Sequence, residues 1–170
     1  MSQKLFLEIS DSTLDPNYKM GDVEKFSIRR AARGILWKED KIALLHVTRL
    51  NYHKLPGGGV EGDEQIEDAY KREILEEVGC KTNDIKGHGL ILEWRDKFKL
   101  QQLSYIFESQ IDGEVGARNM TQEEIDEGFE LLWLTPTQAL KILEEDNPTD
   151  YEAKFIQKRD VFIVKSICGL

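Results

Sequence analysis

Residues Gly57 to Cys80 read GGGVEGDEQIEDAYKREILEEVGC. Three glycines open the stretch, an acidic turn follows, and Glu73, Glu76 and Glu77 precede Gly79. Its middle predicts a short helix. Asp63 is placed to cap the first free N–H groups, and Glu64 and Glu67 put negative charge near the positive end of the dipole. Ile66, Ala69, Tyr70, Ile74 and Val78 recur at helical spacing, and Gly79 stands where a left-handed residue closes a helix. With Ile66 as origin, Tyr70 falls at about 40°, Ala69 at about −60°, Glu73 at about −20° and Glu77 at about 20°. Two carboxylates therefore lie along the apolar stripe. Glu76 lies at about −80°, and Arg72 at about −120°, close to Glu76 but far from the other two.

A row of glutamates on a helix is ordinarily a solvated face. That account fits poorly here. Ionised carboxylates on a core-facing stripe carry a heavy desolvation cost, and Glu73 and Glu77 repel one another as an i, i+4 pair. A hard divalent cation resolves the conflict, because Mg²⁺ takes oxygen ligands and keeps waters for a phosphate-bearing substrate. A calcium loop of the EF-hand kind is disfavoured, since GVEGDE lacks the alternating oxygen ligands and terminal glutamate.

Working outward, the sequence of 170 residues suits a single domain with a real core. Hydrophobic residues make up 40% and charged residues 32%, the balance of an ordinary soluble globular protein. With 23 basic against 32 acidic residues, the net charge of −9 argues against a nucleic-acid backbone or an anionic membrane as a broad-surface partner. Cys80 and Cys168 make no disulfide framework, and no Cys/His cluster suggests zinc. MSQKLFLEIS lacks the apolar core of a signal peptide and no run approaches membrane-spanning length, so the expected location is cytoplasmic.

Upstream, residues 1–22 read as an N-terminal arm or edge strand, which offers an edge for a homodimer. Phe26 to Trp37 reads as a strand whose Arg29 and Arg33 share one side while Arg30 takes the other. These arginines suit solvent-facing positions, and one of the three is a candidate for a substrate phosphate. A polar turn at Lys38–Lys41 returns the chain through Ile42 to Val47. The glycines themselves suggest a phosphate cradle, although no Gly-Lys-Ser/Thr ending follows and a P-loop is rejected.

Downstream, strands are expected at Gly87 to Trp94 and Phe98 to Phe107, and a capping box at Thr121–Glu124 opens a helical turn that Gly128 closes. A strand follows at Phe129 to Leu134. Thr135-Pro136-Thr137-Gln138 starts a helix that runs to about Glu145, and a last helix covers Asp150 to Ile167. Arg159-Asp160 reads as a surface pair within it. Strands and helices mix without βαβ alternation, which indicates an α+β or mixed-sheet sandwich architecture.

Gly58 to Cys80 resembles the signature of the Nudix hydrolases, G-x5-E-x7-R-E-U-x-E-E-x-G-U, with U a bulky aliphatic residue. Gly58, Glu64, Arg72, Glu73, Glu76, Glu77 and Gly79 fill every charged and glycine position, and only Cys80 departs, as a small hydrophobe in the last apolar place. The likeness extends over most of residues 23–167. It implies an α+β fold, a Nudix-like mixed β-sheet sandwiched between α-helices, in a domain of residues 23–170. It implies metal-dependent hydrolysis of the pyrophosphate bond in a nucleoside diphosphate linked to another group: a nucleotide, a nucleotide sugar or a nucleoside triphosphate.

The family's metal ligands would be Glu73, Glu76 and Glu77 with the carbonyl of Gly58, holding Mg²⁺ or Mn²⁺. Arg72 would hold a glutamate in place and Glu64 would brace the loop. Arg30, Arg49, Gly57, Gly58 and Gly59 are candidate substrate contacts. In this family the general base sometimes comes from outside the motif, which makes Glu123, Glu124 and Glu127 candidates against the alternative of an acidic surface turn. Trp37, Trp94 and Trp133 are open to base stacking or to core and rim roles. The other function weighed is a regulatory Nudix module that binds a nucleotide without cleaving it. Such modules usually lose motif glutamates, and all are present here.

Overall fold

The structure is a computed structural model that describes residues 4–19, 21 and 25–170. The expected boundary between residues 22 and 23 lies outside the described residues.

Among the described residues, eight strands form one mixed sheet: β1 (Leu5–Ser10), β2 (Ser27–Lys38), β3 (Lys41–Val47), β4 (Tyr52–Lys54), β5 (Gly57–Gly59), β6 (Lys81–Arg95), β7 (Leu100–Asp112) and β8 (Phe129–Leu134). The order is β1-β6-β7-β2-β3-β4, with β5 on β2 and β8 on β3. β1–β6 and β2–β7 are parallel pairs. Beside β2, β5 takes Ala31–Arg33 while β3 pairs only at Trp37 and Lys38. The sheet therefore parts along β2, and a cleft opens where the two leaves diverge.

Helix α2 (Ile66–Glu77) covers one face, while α4 (Pro136–Glu145) and α5 (Tyr151–Cys168) cover the other. Alternation along the strands fixes which residue meets which helix. Ala32, Leu36 and Ala43 pack with Ala69, Tyr70 and Ile74 of α2, whereas Ile35, Ile42 and Leu44 pack with Leu143, Phe155 and Ile163. With both faces covered, β2 is continuously buried from Ala31 to Leu36, a run of small and apolar residues broken only by Arg33.

The helix ends follow the chain's own capping residues. Thr121 and Thr135 make the expected capping boxes for α3 (Gln122–Glu127) and α4, and Gly128 closes α3 in the left-handed conformation. α2 departs from expectation: it begins at Ile66 with Gln65 as N-cap and no side-chain cap bond, so Asp63 does not cap it. Gly79 (φ +81°) ends it, and a Cβ there would lie 2.6 Å from the Gly116 carbonyl oxygen. α1 (Asp11–Leu14) is a single turn after β1, and that strand lies on the sheet's edge through its pairing with β6. Among the described residues no helix is long and apolar enough to cross a membrane.

Candidate active site

The glycine triplet is not a loop. It is strand β5, hydrogen-bonded to β2, with both flanks filled by charged side chains. A Cβ on Gly58 would fall 2.6 Å from the Glu73 carboxylate, and one on Gly59 would fall 3.2 Å from Nη2 of Arg29 on the other face. A side chain at Gly58 would displace the Glu73 carboxylate, and one at Gly59 would press on the Arg29 guanidinium.

On the α2 side of β5, Glu73 and Glu77 are buried, as their places on the apolar stripe require. Glu77, 1% exposed, accepts from the Gly57 N–H (2.6 Å) and from Lys54 Nζ (3.0 Å). Burial nevertheless holds its pKa above the ordinary carboxylate value, against the pull of Lys54. Burial, and next the charge of Glu77, push Glu73 up to about 7, although Arg72 opposes the shift.

Arg72 ties the loop to the helix. Its Nη2 donates to Glu64 (2.8 Å) and to the Gly59 carbonyl (2.8 Å), while Nη1 donates to both Glu73 (2.9 Å) and Glu76 (3.1 Å). The distance from Glu73 expected from the helical wheel is thus corrected, because a long guanidinium stem spans angular gaps that Cα positions do not. Glu64 is held below its usual range chiefly by this bond.

A third carboxylate enters from α3. Ligand oxygens of Glu73, Glu77 and Glu124 all lie within 4.8 Å of one another. Glu124 is positioned by its capping box, in which its own carboxylate accepts from the Thr121 N–H (2.7 Å). Glu123 and Glu127 line the same cleft. Burial, then the charge of Glu123, raises the pKa of Glu127. Glu76 stands apart from the group, its carboxylate turned to Arg72.

The cleft, about 590 Å³ in volume, is lined by Gly57, Gly58 and Gly59 but not by Arg30, Arg49, Trp37, Trp94 or Trp133. Arg30 reaches the Gly62 carbonyl on the α2 side (3.4 Å), and Arg49 is exposed on the turn after β3. Two sequence expectations fail on the opposite wall. Arg33 is 4% exposed, not solvent-facing, and Arg159 and Asp160, expected at the surface, are each 0% exposed and ion-paired inside. The wheel that singles out Glu73 contains the missed signal: Arg159 sits four residues after Phe155 and four before Ile163, on the buried stripe of α5.

The fold agrees with the comparisons to known proteins. The NUDIX domain family model matches residues 27–157, and the chain belongs to the Nudix family. It is a pyrophosphohydrolase of that family, whose members generally act on nucleoside diphosphate derivatives and use divalent metal ions. None of the curated proteins matches the chain. Among solved structures, a MutT protein from Bacillus halodurans is similar at 24% identity over 76% of this chain and 80% of that one, with TM-score 0.56. A Nudix hydrolase from Nitrosomonas europaea matches at 17% identity, 78% and 89% coverage and TM-score 0.60. A MutT Nudix hydrolase from Burkholderia pseudomallei matches at 18%, 78% and 97%, with TM-score 0.56. At these identities the likeness concerns the fold.

Proposed function

We propose that the chain hydrolyses the phosphoric anhydride bond of a small nucleoside diphosphate derivative with Mg²⁺ or Mn²⁺ held by Glu73, Glu77 and Glu124, with the Gly58 carbonyl beside them and Glu76 held outside the group by Arg72. One observation carries the proposal: carboxylates from two elements converge within 4.8 Å in a cleft, on a buried wall where Lys54 and Arg72 are too few to neutralise them. The donor set fits the metal, since only hard oxygens are offered. A divalent ion there supplies charge neutralisation and Lewis acidity toward the anhydride.

The chain's own groups do the rest. Arg72 holds Glu73 and Glu76 oriented, Lys54 and the Gly57 N–H fix Glu77, and the cap of α3 fixes Glu124. Glu127, one helical turn beyond Glu124 with its carboxyl held above the usual range, is the candidate to take the proton of the attacking water at a carboxylate oxygen. Rates should rise toward alkaline pH, where these crowded carboxyls are ionised; a maximum well below neutrality would contradict the assignment.

A screen of nucleoside triphosphates, nucleotide sugars, dinucleotides and capped nucleotides with each metal, products identified by mass, tests the proposal. Hydrolysis of at least one class, lost in chelator, is the expected result. Folded protein inactive toward every class would overturn it.

A further inference from the structure

Across β5 from the carboxylates, the cleft has a wall of opposite sign that the chemistry above leaves unused. Arg29 and Arg33 project from the α5 face of β2, Arg95 from β6 and Arg159 from α5. Two buried carboxylates, Glu93 and Asp160, lie among them. Arg95 donates to Glu93 through Nε (2.9 Å) and Nη2 (2.6 Å), and to Glu152 (2.8 Å). Arg159 donates to Glu93 through Nη1 (3.0 Å) and to Asp160 through Nε (2.7 Å). Arg29 is held by Gln102 (2.9 Å).

These bonds use both carboxylates and leave Arg33 out. The Arg33 guanidinium has no hydrogen bond or ion pair with any described residue, and its Nε and the Nη2 of Arg159 are buried donors without a partner. Both residues line the cleft. The charges of Asp160 and Glu93 favour the Arg33 cation without contacting it; a buried guanidinium that no acceptor touches is costly all the same, and buried N–H groups are nearly always satisfied. Burial, together with the charge of Arg159, lowers the Arg33 pKa to about 9, so the side chain still carries its proton at neutral pH.

We infer that Arg33 and Arg159 form an anion site that takes a phosphate monoester, and that the substrate carries this second phosphate apart from the anhydride held on the α2 side of β5. Donors approaching from β2 and from α5 suit a tetrahedral anion better than the single plane of a carboxylate, and guanidinium is the group best matched to phosphate oxygens. A cleft of about 590 Å³ has room for a ligand that reaches both walls. The inference rests on the hydrolase proposal only in assigning the phosphate to that enzyme's substrate.

The test is calorimetric titration of the metal-free protein in chelator with inorganic phosphate, and with succinate as the carboxylate probe. One phosphate should bind, more tightly than succinate. Arg33→Met should weaken it about tenfold or more, the size expected for a lost charge-assisted contact. The same variant should melt no lower than the parent in phosphate-free buffer, because a buried unpaired charge has been removed; a purely structural arginine would show the reverse. Arg33→Lys, which keeps the charge but loses the fork, should bind phosphate with intermediate affinity.

Absence of phosphate binding, equal binding by Arg33→Met, or preference for succinate would each overturn the inference. Phosphate binding by a protein that hydrolyses nothing would remove the hydrolase proposal and leave the site standing. Hydrolysis without phosphate binding would do the opposite.

Discussion

The two walls of the cleft are built by the same means and err in opposite directions. On the α2 side, Glu73, Glu77 and Glu124 crowd together with Lys54 and part of Arg72 to balance them. On the α5 side, Arg33, Arg95 and Arg159 are buried with Glu93 and Asp160, and Arg33 is left over. One wall is short of positive charge, and on the other one guanidinium makes no ion pair with any described residue. A structural ion-pair network closes on itself, as Arg95 does with Glu93 and Glu152. A wall that does not close is incomplete until a ligand of the missing sign arrives.

If the acidic wall is the one that waits for a metal, Glu77→Gln should reduce kcat by about 10³-fold, the order seen when a charge-stabilising group is lost, while circular dichroism shows the fold intact. Near-full activity would remove the metal assignment. Next in size is a pH effect in the absence of metal. Glu73 is held at about 7 against an ordinary 4.5, so between those values the folded state binds a proton the unfolded state has released. Stability in chelator should therefore fall as pH rises through that window, by on the order of 3 kcal/mol, and Mg²⁺ should restore it most at the alkaline end. Denaturation midpoints that stay flat from pH 4.5 to 8 would argue against a strained carboxylate pair.

Arg72→Ala should cost about 2 kcal/mol of stability and also lower activity, since four acceptors lose their donor at once. Arg72→Lys should recover little, because a single ammonium does not span them. The smallest effect is expected from Thr121→Ala, about 1 kcal/mol by chemical denaturation, together with weaker metal binding as the Glu124 N–H loses the Thr121 hydroxyl that completes the capping box. Unchanged metal affinity in that variant would show that α3 places Glu124 without help from its cap.

How much of this was legible in the chain depended on whether a local pattern carried it. The capping boxes at Thr121 and Thr135, the strand at Phe129–Leu134 and the inward turn of Glu73 and Glu77 are set by spacing within one element, and they read correctly. The Nudix motif carried the family. β5 departs from the expected loop because glycines signal freedom without saying what fills the freed space, here Glu73 on one side and Arg29 on the other. Glu124 joins Glu73 and Glu77 across a long stretch of chain, so no local spacing encodes their meeting. Arg159 was different. Its stripe position is visible in the chain, but charge alone suggests surface, and of the two partners that make its burial tolerable Asp160 is adjacent while Glu93 lies far off on β6.

The bare backbone of β5 has one more consequence. A strand with no side chains is a thin, weakly polarisable partition, so ions on its two faces feel one another's fields with little between them to damp the force. Cation bound on one face should tighten anion on the other, and by thermodynamic reciprocity the anion should tighten the cation to the same degree. Three glycines in a row would then serve as an electrostatic window between two half-sites.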